Sequence, residues 1–168
     1  FSDLGHLETI KGLELVDTSN FTSMSSLFSG CGSLTSLNLS NFNTNKVTSV
    51  VSMFSSCQNL TDLNVENFNI EKVTSIAWAF SGCNKLINLD LSGWNMKSVT
   101  TITFAFISCD SLSDDSLNSI LKMCSTAEAL SQDKRKLSNF GLSNSQIAKC
   151  LTLSNWSLAE NAGWVTGI

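Results

Sequence analysis

Residues 34–57 read LTSLNLSNFNTNKVTSVVSMFSSC, and this stretch decides the fold because the chain repeats it every 26 residues. Its leucine, valine, threonine and aromatic positions recur at that spacing in the neighbouring units. The clearest columns are Phe28, Phe54, Phe80 and Phe106, and Cys31, Cys57, Cys83 and Cys109. Self-similarity at a fixed period of about 20–50 residues is the signature of stacked repeats.

Each unit joins two halves whose apolar residues follow different periods. LTSLNL has apolar residues at its first, fourth and sixth positions, and the final alternation predicts a short strand. VTSVVSMFSSC places Val47, Val50, Phe54 and Cys57 on one face of a predicted short helix. The threonine that recurs just before this run is expected to cap that helix, and the Asn- and Ser-rich segment between the halves predicts a turn.

A single unit of this kind cannot fold alone. Roughly eight apolar side chains contribute about 2 kcal/mol each, whereas ordering the unit costs about 1.5 kcal/mol per residue. Units must therefore stack so that each is covered on both sides. The sequence predicts an α/β solenoid with parallel strands on one face and short helices on the other. We expect about four units in residues 1–112 and a small helical C-terminal cap in residues 113–168.

The two ends of the chain depart from the repeat. IKGLEL at 10–15 aligns with the strand half of the next unit after a two-residue deletion, and the apolar spacing upstream of it suggests the remnant of an earlier unit. We therefore expect the chain to be a segment of a longer protein. At the other end, Ser113 predicts a helix N-cap, and Ser143 with Gln146 has the spacing of a capping box. A third short helix is expected near SNWSLAENAGW, with Trp156 and Trp164 in the core of the cap.

The 26-residue pattern, with LxxLxL followed by F, VT, F and C, resembles the bacterial surface-protein repeat that is a branch of the BspA-like leucine-rich repeats. The resemblance covers about residues 10–112, and Ala79 and Ala105 stand where Met or Leu is more usual. It implies a leucine-rich-repeat-like solenoid on a cell-surface or secreted protein, with a role in adhesion. The implied partner is a host or neighbouring-cell protein or glycan. Related repeats also occur in phage and mobile-element proteins.

The six cysteines could carry chemistry, so their spacing matters. Equivalent positions of stacked units lie in a line about 4.8 Å apart, whereas zinc ligands must converge on one point. Stacked side chains also point the same way, which strains a disulfide. We therefore expect the four repeat cysteines to be a ladder of buried, inert thiols. Cys124 and Cys150 lie on two predicted helices whose apolar faces should meet, and both a disulfide and two free thiols remain open.

Other functional classes find little support in the residues. His6 is the only histidine and lies near the start, so a Ser–His–Asp or Cys–His arrangement has no well-placed base. We expect no enzyme, no cofactor and no metal site.

The net charge of −4 gives no basic footprint for nucleic acid, and the basic run DKRK at 133–136 is expected to be solvated. No apolar run reaches the roughly 20 residues that span a bilayer, so no membrane contact is expected from this segment.

The remaining candidate is a binding surface on the strands, where residues between the core leucines should point outward. This face is mildly acidic, carries no aromatic residue that would make a strong hot spot, and is compatible with a protein or glycan ligand. The alternative function is a structural spacer in a surface array or phage particle. A third possibility, a hydrolase, would need two carboxyl groups within about 10 Å of each other in a pocket. The outward residues are Gly12, Glu14, Ser36, Asn38, Ser40, Asp62, Asn64, Glu66, Asn88, Asp90 and Ser92.

Overall fold

The computed structural model describes residues 1–168. Its regular elements are short, and most of the chain forms turns that are hydrogen-bonded between units. The strands are β1 (Ser36–Asn38), β2 (Asp62–Asn64) and β3 (Asn88–Leu89), and the helices are α1 (Asp114–Cys124), α2 (Asn144–Cys150) and α3 (Trp156–Asn161). Three 3₁₀ turns cover Leu13–Leu15, Gln132–Lys134 and Leu137–Phe140.

The three strands form one parallel sheet in the order β1, β2, β3. Ser36 lies opposite Asp62, and Asp62 lies opposite Asn88, so the register equals the sequence period. Within each strand one leucine is buried between exposed polar neighbours. The sheet therefore arises from one strand of each of three consecutive units.

A second hydrogen-bonded ladder connects the other halves of the units. Ser23, Ser49, Ser75 and Thr101 form parallel bridges in sequence order. Alternate N–H groups of one unit, from Met24 to Gly30, donate to carbonyl oxygens of the next unit at 2.8–3.0 Å. Each unit is thus joined to its neighbour along two separate lines of backbone hydrogen bonds.

The short helices predicted within the repeats are wrong. The segment 50–57 is a succession of turns, and Ser52 and Ser56 have positive φ angles of 55° and 62°. The physical reason is spacing, because hydrogen-bonded strands lie about 4.8 Å apart while packed helices need about 8–10 Å. A segment that follows the strand spacing must be thin, so its N–H groups bond to the next unit instead of four residues back.

The recurring threonine stabilises stacking and does not cap a helix. The N–H and the hydroxyl of Thr48 both donate to the carbonyl oxygen of Thr22, at 2.8 and 3.1 Å. Thr74 and Thr100 make the same pair of bonds to the threonine of the preceding unit. The helix-cap prediction for this column is therefore wrong, since no helix follows it.

The first unit also differs from the prediction. Gly12 has a φ of 85° and starts the 3₁₀ turn Leu13–Leu15, so IKGLEL does not form a strand. An extended backbone is impossible at that φ, which only glycine adopts freely. Leu15 consequently lies outside the core, with 84% of its surface exposed.

One column of aromatic rings runs through the buried core. Successive phenylalanines of the repeat have ring centroids 5.3–5.8 Å apart and planes within 14° of parallel. Offset-stacked pairs of this kind contribute about 0.5–1.5 kcal/mol each beyond the burial of apolar area. The whole column consists of Phe1, Phe28, Phe54, Phe80, Phe106, Phe140 and Trp164.

The C-terminal helices begin where the sequence predicts. The hydroxyl of Ser113 accepts a hydrogen bond from the N–H of Ser116 at 3.2 Å at the start of α1. Ser143 and Gln146 form a capping box at the start of α2. Trp164 is buried in the core as predicted, and Trp156 packs against the core while half-buried. None of the helices combines the length and the apolar character that crossing a membrane requires.

Helix α1 covers the free edge of β3 with two serine hydroxyls. Ser116 Oγ accepts from the N–H of Leu89 at 2.9 Å and donates to the carbonyl oxygen of Ile87 at 2.8 Å. Ser119 Oγ accepts from the N–H of Leu91 at 3.1 Å and donates to the carbonyl oxygen of Leu89 at 3.0 Å. These hydroxyls take the place of a fourth strand, and so they protect an edge that would otherwise be open to pairing.

Arg135 departs from the predicted solvation of the DKRK run. Its guanidinium is buried and donates to the carbonyl oxygens of Leu130, Glu128 and Ala162. Ala162 is the C-cap of α3, where a positive charge interacts favourably with the helix dipole. Arg135 therefore holds together loops of the C-terminal region, while its three neighbours in the run are exposed.

The aromatic column makes a direct stability prediction. We expect Phe54→Ala to lower the free energy of unfolding by about 3–5 kcal/mol, because this fully buried ring stacks on a ring on each side. Phe1→Ala is the matched control, since Phe1 ends the column and is 47% exposed. Chemical denaturation followed by circular dichroism measures both. Equal losses in the two variants would contradict the inferred role of the column.

The edge-covering serines make a local prediction. In Ser119→Ala, the N–H of Leu91 and the carbonyl oxygen of Leu89 lose their partner, so we expect a cost of about 1–3 kcal/mol. Amide hydrogen exchange should accelerate at Leu91, whose N–H loses its acceptor, more than at Leu89, whose N–H keeps Ser116 Oγ as its acceptor. Ser157→Ala is the control, because Ser157 is exposed on α3. Unchanged exchange at Leu91 would show that the Ser119 hydroxyl does not protect the edge.

Candidate functional site

The sheet presents a face of polar side chains to solvent. The buried leucines of the strands point inward, and the residues between them are exposed. The structure brings nine of the predicted binding residues onto this outward strand face: Ser36, Asn38, Ser40, Asp62, Asn64, Glu66, Asn88, Asp90 and Ser92.

Glu14 and Gly12 do not belong to this face. Both lie at the 3₁₀ turn of the first unit, which pairs with no strand. The prediction that they extend the outward rows is therefore wrong. The cause is the left-handed backbone at Gly12, which prevents the extended conformation that would carry Glu14 to the sheet.

A groove of about 330 Å³ lies where the sheet meets α1. Strands β2 and β3 form its floor, and the first turn of α1 forms one wall. We call this depression the acidic groove, because four of its eleven lining residues carry carboxylates. The carboxylates belong to Asp62, Glu66, Asp90 and Asp115.

Asp115 was not among the predicted site residues. In the sequence, Asp114 and Asp115 are explained by the dipole at the start of a helix. Only the position of α1 against β3 shows that Asp115 also faces the groove. The charge of the groove is therefore larger than the strand residues alone indicate.

Neighbouring side chains fix the carboxylate of Asp62. The amide nitrogen of Asn88 donates to Oδ1 of Asp62, and the hydroxyl of Thr61 donates to Oδ2 at 3.1 Å. The hydrogen bond from Asn88 crosses from β3 to β2 on the exposed face. This contact holds the carboxylate in one orientation, so the floor of the groove is preorganised.

A second set of polar residues has a structural task. The side-chain oxygens of Asn38, Asn64 and Asp90 accept from the N–H two residues further on, at 3.0, 3.1 and 2.8 Å. Each contact is an Asx turn that ends a strand. These three residues therefore shape the face, and one carboxylate oxygen of Asp90 keeps no partner within the chain.

The acidic groove carries no compensating cation. The two salt bridges of the chain join Lys97 to Glu71 at 3.0 Å and Lys149 to Asp114 at 2.8 Å, both outside the groove. No three His, Cys, Asp or Glu side chains gather to hold a metal ion. His6 is exposed and does not line the groove. The negative charge of the groove is thus open to a ligand in solution.

Comparison with known families decides the relationship of the chain. A family profile described as "Mycoplasma protein of unknown function, DUF285" matches residues 1–120. The chain belongs to this family. The match spans the stacked units, all strands of the sheet and the first half of α1. No curated protein and no solved structure matches the chain.

In this DUF285 chain the repeat cysteines are buried hydrogen-bond donors. Cys57 Sγ donates to the carbonyl oxygen of Phe28 at 3.1 Å, and Cys83 and Cys109 bond in the same way to the phenylalanine of the preceding unit. Burial raises the pKa of Cys57 to about 12 and that of Cys109 to about 12. A nucleophilic cysteine needs a lowered pKa, so the ladder is placed for packing and not for reaction.

Cys124 and Cys150 are free thiols in this structure. Both are buried, and burial raises both pKa values, that of Cys150 to about 11. The two cysteines lie on α1 and α2, which pack against each other. Of the two open possibilities for this pair, the structure contains the reduced one.

The cysteine ladder predicts a dependence on pH. The pKa of Cys57 is near 12 when folded against 9.0 when exposed, so its contribution to stability is complete below about pH 9 and is lost as pH rises toward 12. Cys57→Ser removes this titration and keeps a hydroxyl donor for Phe28. We expect the free energy of unfolding to fall less steeply with pH in C57S than in the wild type.

Urea unfolding under reducing conditions, in steps from about pH 8 to about pH 12, measures this difference, since each raised thiol contributes about 1.4 kcal/mol per pH unit. Cys57→Ala is the control, because it removes the same titration but also the hydrogen bond. The plot of unfolding free energy against pH for Cys57→Ala should run parallel to that for C57S. Parallel curves for C57S and the wild type would show that this thiol ionises equally in both states.

Proposed function

We propose that this chain is a non-enzymatic recognition module that binds a protein or glycan through its outward strand face. The observation that carries the proposal is the acidic groove, which presents four exposed carboxylates without a cation to pair them. Exposed, preorganised acceptors suit a ligand that brings hydrogen-bond donors, such as basic side chains or sugar hydroxyls. The preorganisation of Asp62 by Asn88 and Thr61 lowers the cost of ordering the site on binding.

The absence of enzymatic activity is part of the same proposal. General acids usually need burial to raise their pKa, whereas Asp62, Glu66, Asp90 and Asp115 are all exposed. Apart from its exposed carboxylates, the groove contains no histidine, cysteine or lysine that could act as a base or nucleophile. These features support binding over catalysis.

For the fold, we propose an α/β solenoid that is leucine-rich-repeat-like, with residues 113–168 as its cap. The two inter-unit ladders and the cover that α1 provides for β3 support this proposal. Membership of a family described from Mycoplasma supports a bacterial repeat protein. The closer assignment to BspA-like repeats, and with it a location on the cell surface and a role in adhesion, belongs to the proposal.

The second candidate is a structural spacer or assembly element. The observation that favours it is the pair of inter-unit ladders, which join consecutive units into one row. Each unit in such a row adds length, and length is what a spacer supplies. This candidate requires no ligand in the acidic groove.

A charge-neutralised variant tests the groove. In Asp62→Asn with Asp90→Asn, each new side chain matches the residue in a neighbouring unit, Asn88 and Asn64 respectively, so the fold should be preserved. We expect the double variant to bind a ligand found on glycan and extracellular-matrix arrays at least roughly tenfold more weakly, because two charges are lost. Biolayer interferometry at two salt concentrations measures the change.

Glu160→Gln is the matched control, since Glu160 is an exposed acid on α3 outside the groove. It should bind like the wild type. Equal affinity of the double variant and the wild type would contradict the groove as the binding site. Absence of any ligand on both arrays would favour the spacer.

A further inference from the structure

Two aromatic side chains stand on the surface of the ladder of turns, away from the strand face. Trp78 and Phe104 are each 42% exposed, and their ring centroids lie 6.5 Å apart with planes tilted by 52°. They occupy the same position of two consecutive units. The first two units carry Ser26 and Ser52 at that position.

The backbone at this position makes an aromatic residue unfavourable. Trp78 and Phe104 both have a φ of 53°, and the serines of the column have nearly the same angle. The turn therefore demands a left-handed residue, and a bulky side chain is a clear outlier there. Exposing two large apolar rings to water adds a further cost. Residues held in such conformations cluster at functional sites, and serine would serve the turn better.

A cluster of polar groups lies beside Phe104, and two of its hydroxyls have no partner within the chain. A depression of about 260 Å³ beside Phe104 is lined by threonine hydroxyls, Lys134 and Asn139, and by no carboxylate. Asn139 is positioned by two contacts. Its backbone carbonyl oxygen accepts from the N–H of Phe104 at 2.8 Å, and its side-chain amide nitrogen donates to the backbone carbonyl oxygen of Lys134 at 2.9 Å. The hydroxyls of Thr101 and Thr103 have no hydrogen-bond partner within the chain.

Lys134 and Asn139 form a polar wall of the depression beside the unit that carries Phe104. Residues Lys134–Asn139 pack against the last unit, and through the Asn139 carbonyl they continue the ladder beyond Phe104. The first two units, which carry serine in the column, have no such wall beside them. Phe104 thus lies where free hydroxyls and an amide are within reach, and Trp78 extends the aromatic surface into the preceding unit.

We infer that Trp78 and Phe104 form a binding site for a neutral oligosaccharide. A pyranose ring has apolar C–H faces that pack on aromatic rings and hydroxyls at its edge that exchange hydrogen bonds with threonine and asparagine side chains. Two tilted rings at this spacing give one apolar platform for each of two adjoining sugars. The other polar groups that line the depression are uncharged hydroxyls and an amide, which exchange hydrogen bonds with the hydroxyls of a neutral sugar, and the ammonium of Lys134 adds further donors.

This site is separate from the acidic groove, which shares none of its residues. The sequence alone does not identify it, because aromatic residues in a repeat of this kind are expected in the core. Only the exposure of the two rings and their left-handed backbone distinguish them from the buried column.

The test uses the full chain with cellopentaose, maltopentaose and chitopentaose as probes. Titration is followed by tryptophan fluorescence and by calorimetry, because Trp78 is the most exposed of the four tryptophans, with Trp94 and Trp164 buried and Trp156 half-buried. We expect at least one probe to bind with a Kd below about 1 mM. Trp78→Ser and Phe104→Ser should each weaken that binding at least roughly tenfold, while the melting temperature stays the same or rises.

Ile87→Thr is the matched control. Ile87 is 46% exposed outside the site, and threonine occupies its position in the two preceding units, as Thr35 and Thr61. This variant, and Asp62→Asn with Asp90→Asn, should bind the sugar like the wild type. A failure of the acidic groove and a failure of this site can therefore be told apart.

Three results would overturn the inference. The first is that none of the three probes binds. The second is that both serine variants bind a probe as tightly as the wild type. The third is that Trp78→Ser lowers the melting temperature by several degrees, which would reveal a packing role for Trp78. Binding of a matrix protein that Trp78→Ser abolishes, with no sugar bound, would assign the patch to a protein and also reject a carbohydrate site.

Discussion

The distance between consecutive units is fixed by backbone hydrogen bonds, and the other features of the molecule follow from it. Two ladders, one at the strands and one at the turns, hold equivalent residues at the spacing of a parallel sheet. That spacing excludes helices from the repeats, sets the offset stacking of the aromatic column, and lets each threonine hydroxyl reach the carbonyl oxygen of the preceding unit. It also explains why each cysteine thiol finds the same backbone acceptor.

Both candidate sites lie where the repetition stops. Within the stack, consecutive units share most of their side chains. At the end, α1 replaces a strand and adds Asp115 to the rows of the sheet, which produces the acidic groove. On the other ladder, the segment that carries Asn139 closes the last unit and lines the depression beside Phe104. The C-terminal region therefore covers an edge and at the same time creates concave surfaces.

The sequence predicted the features that depend on period and on local capping. The register of Ser36 with Asp62, the outward rows and the helix start at Ser113 are of this kind. The helices within the repeats were wrong because tight turns can bury residues at the same three- and four-residue spacing. The glycines at 30 and 82, both with positive φ, were the available signal. Contacts between distant segments, such as those of Arg135 and Asp115, leave no pattern in the sequence.

The hydrogen bonds of both ladders point along the stacking direction, and this orientation has a mechanical consequence. A force that pulls the two ends of the stack apart loads one interface between units after another, and does not shear many bonds at once. Each unit that detaches releases 26 residues, or about 90 Å of extended chain, in place of the roughly 4.8 Å that it occupies when stacked. Under tension, the molecule would lengthen stepwise at modest force, and each released unit could stack again when the load falls.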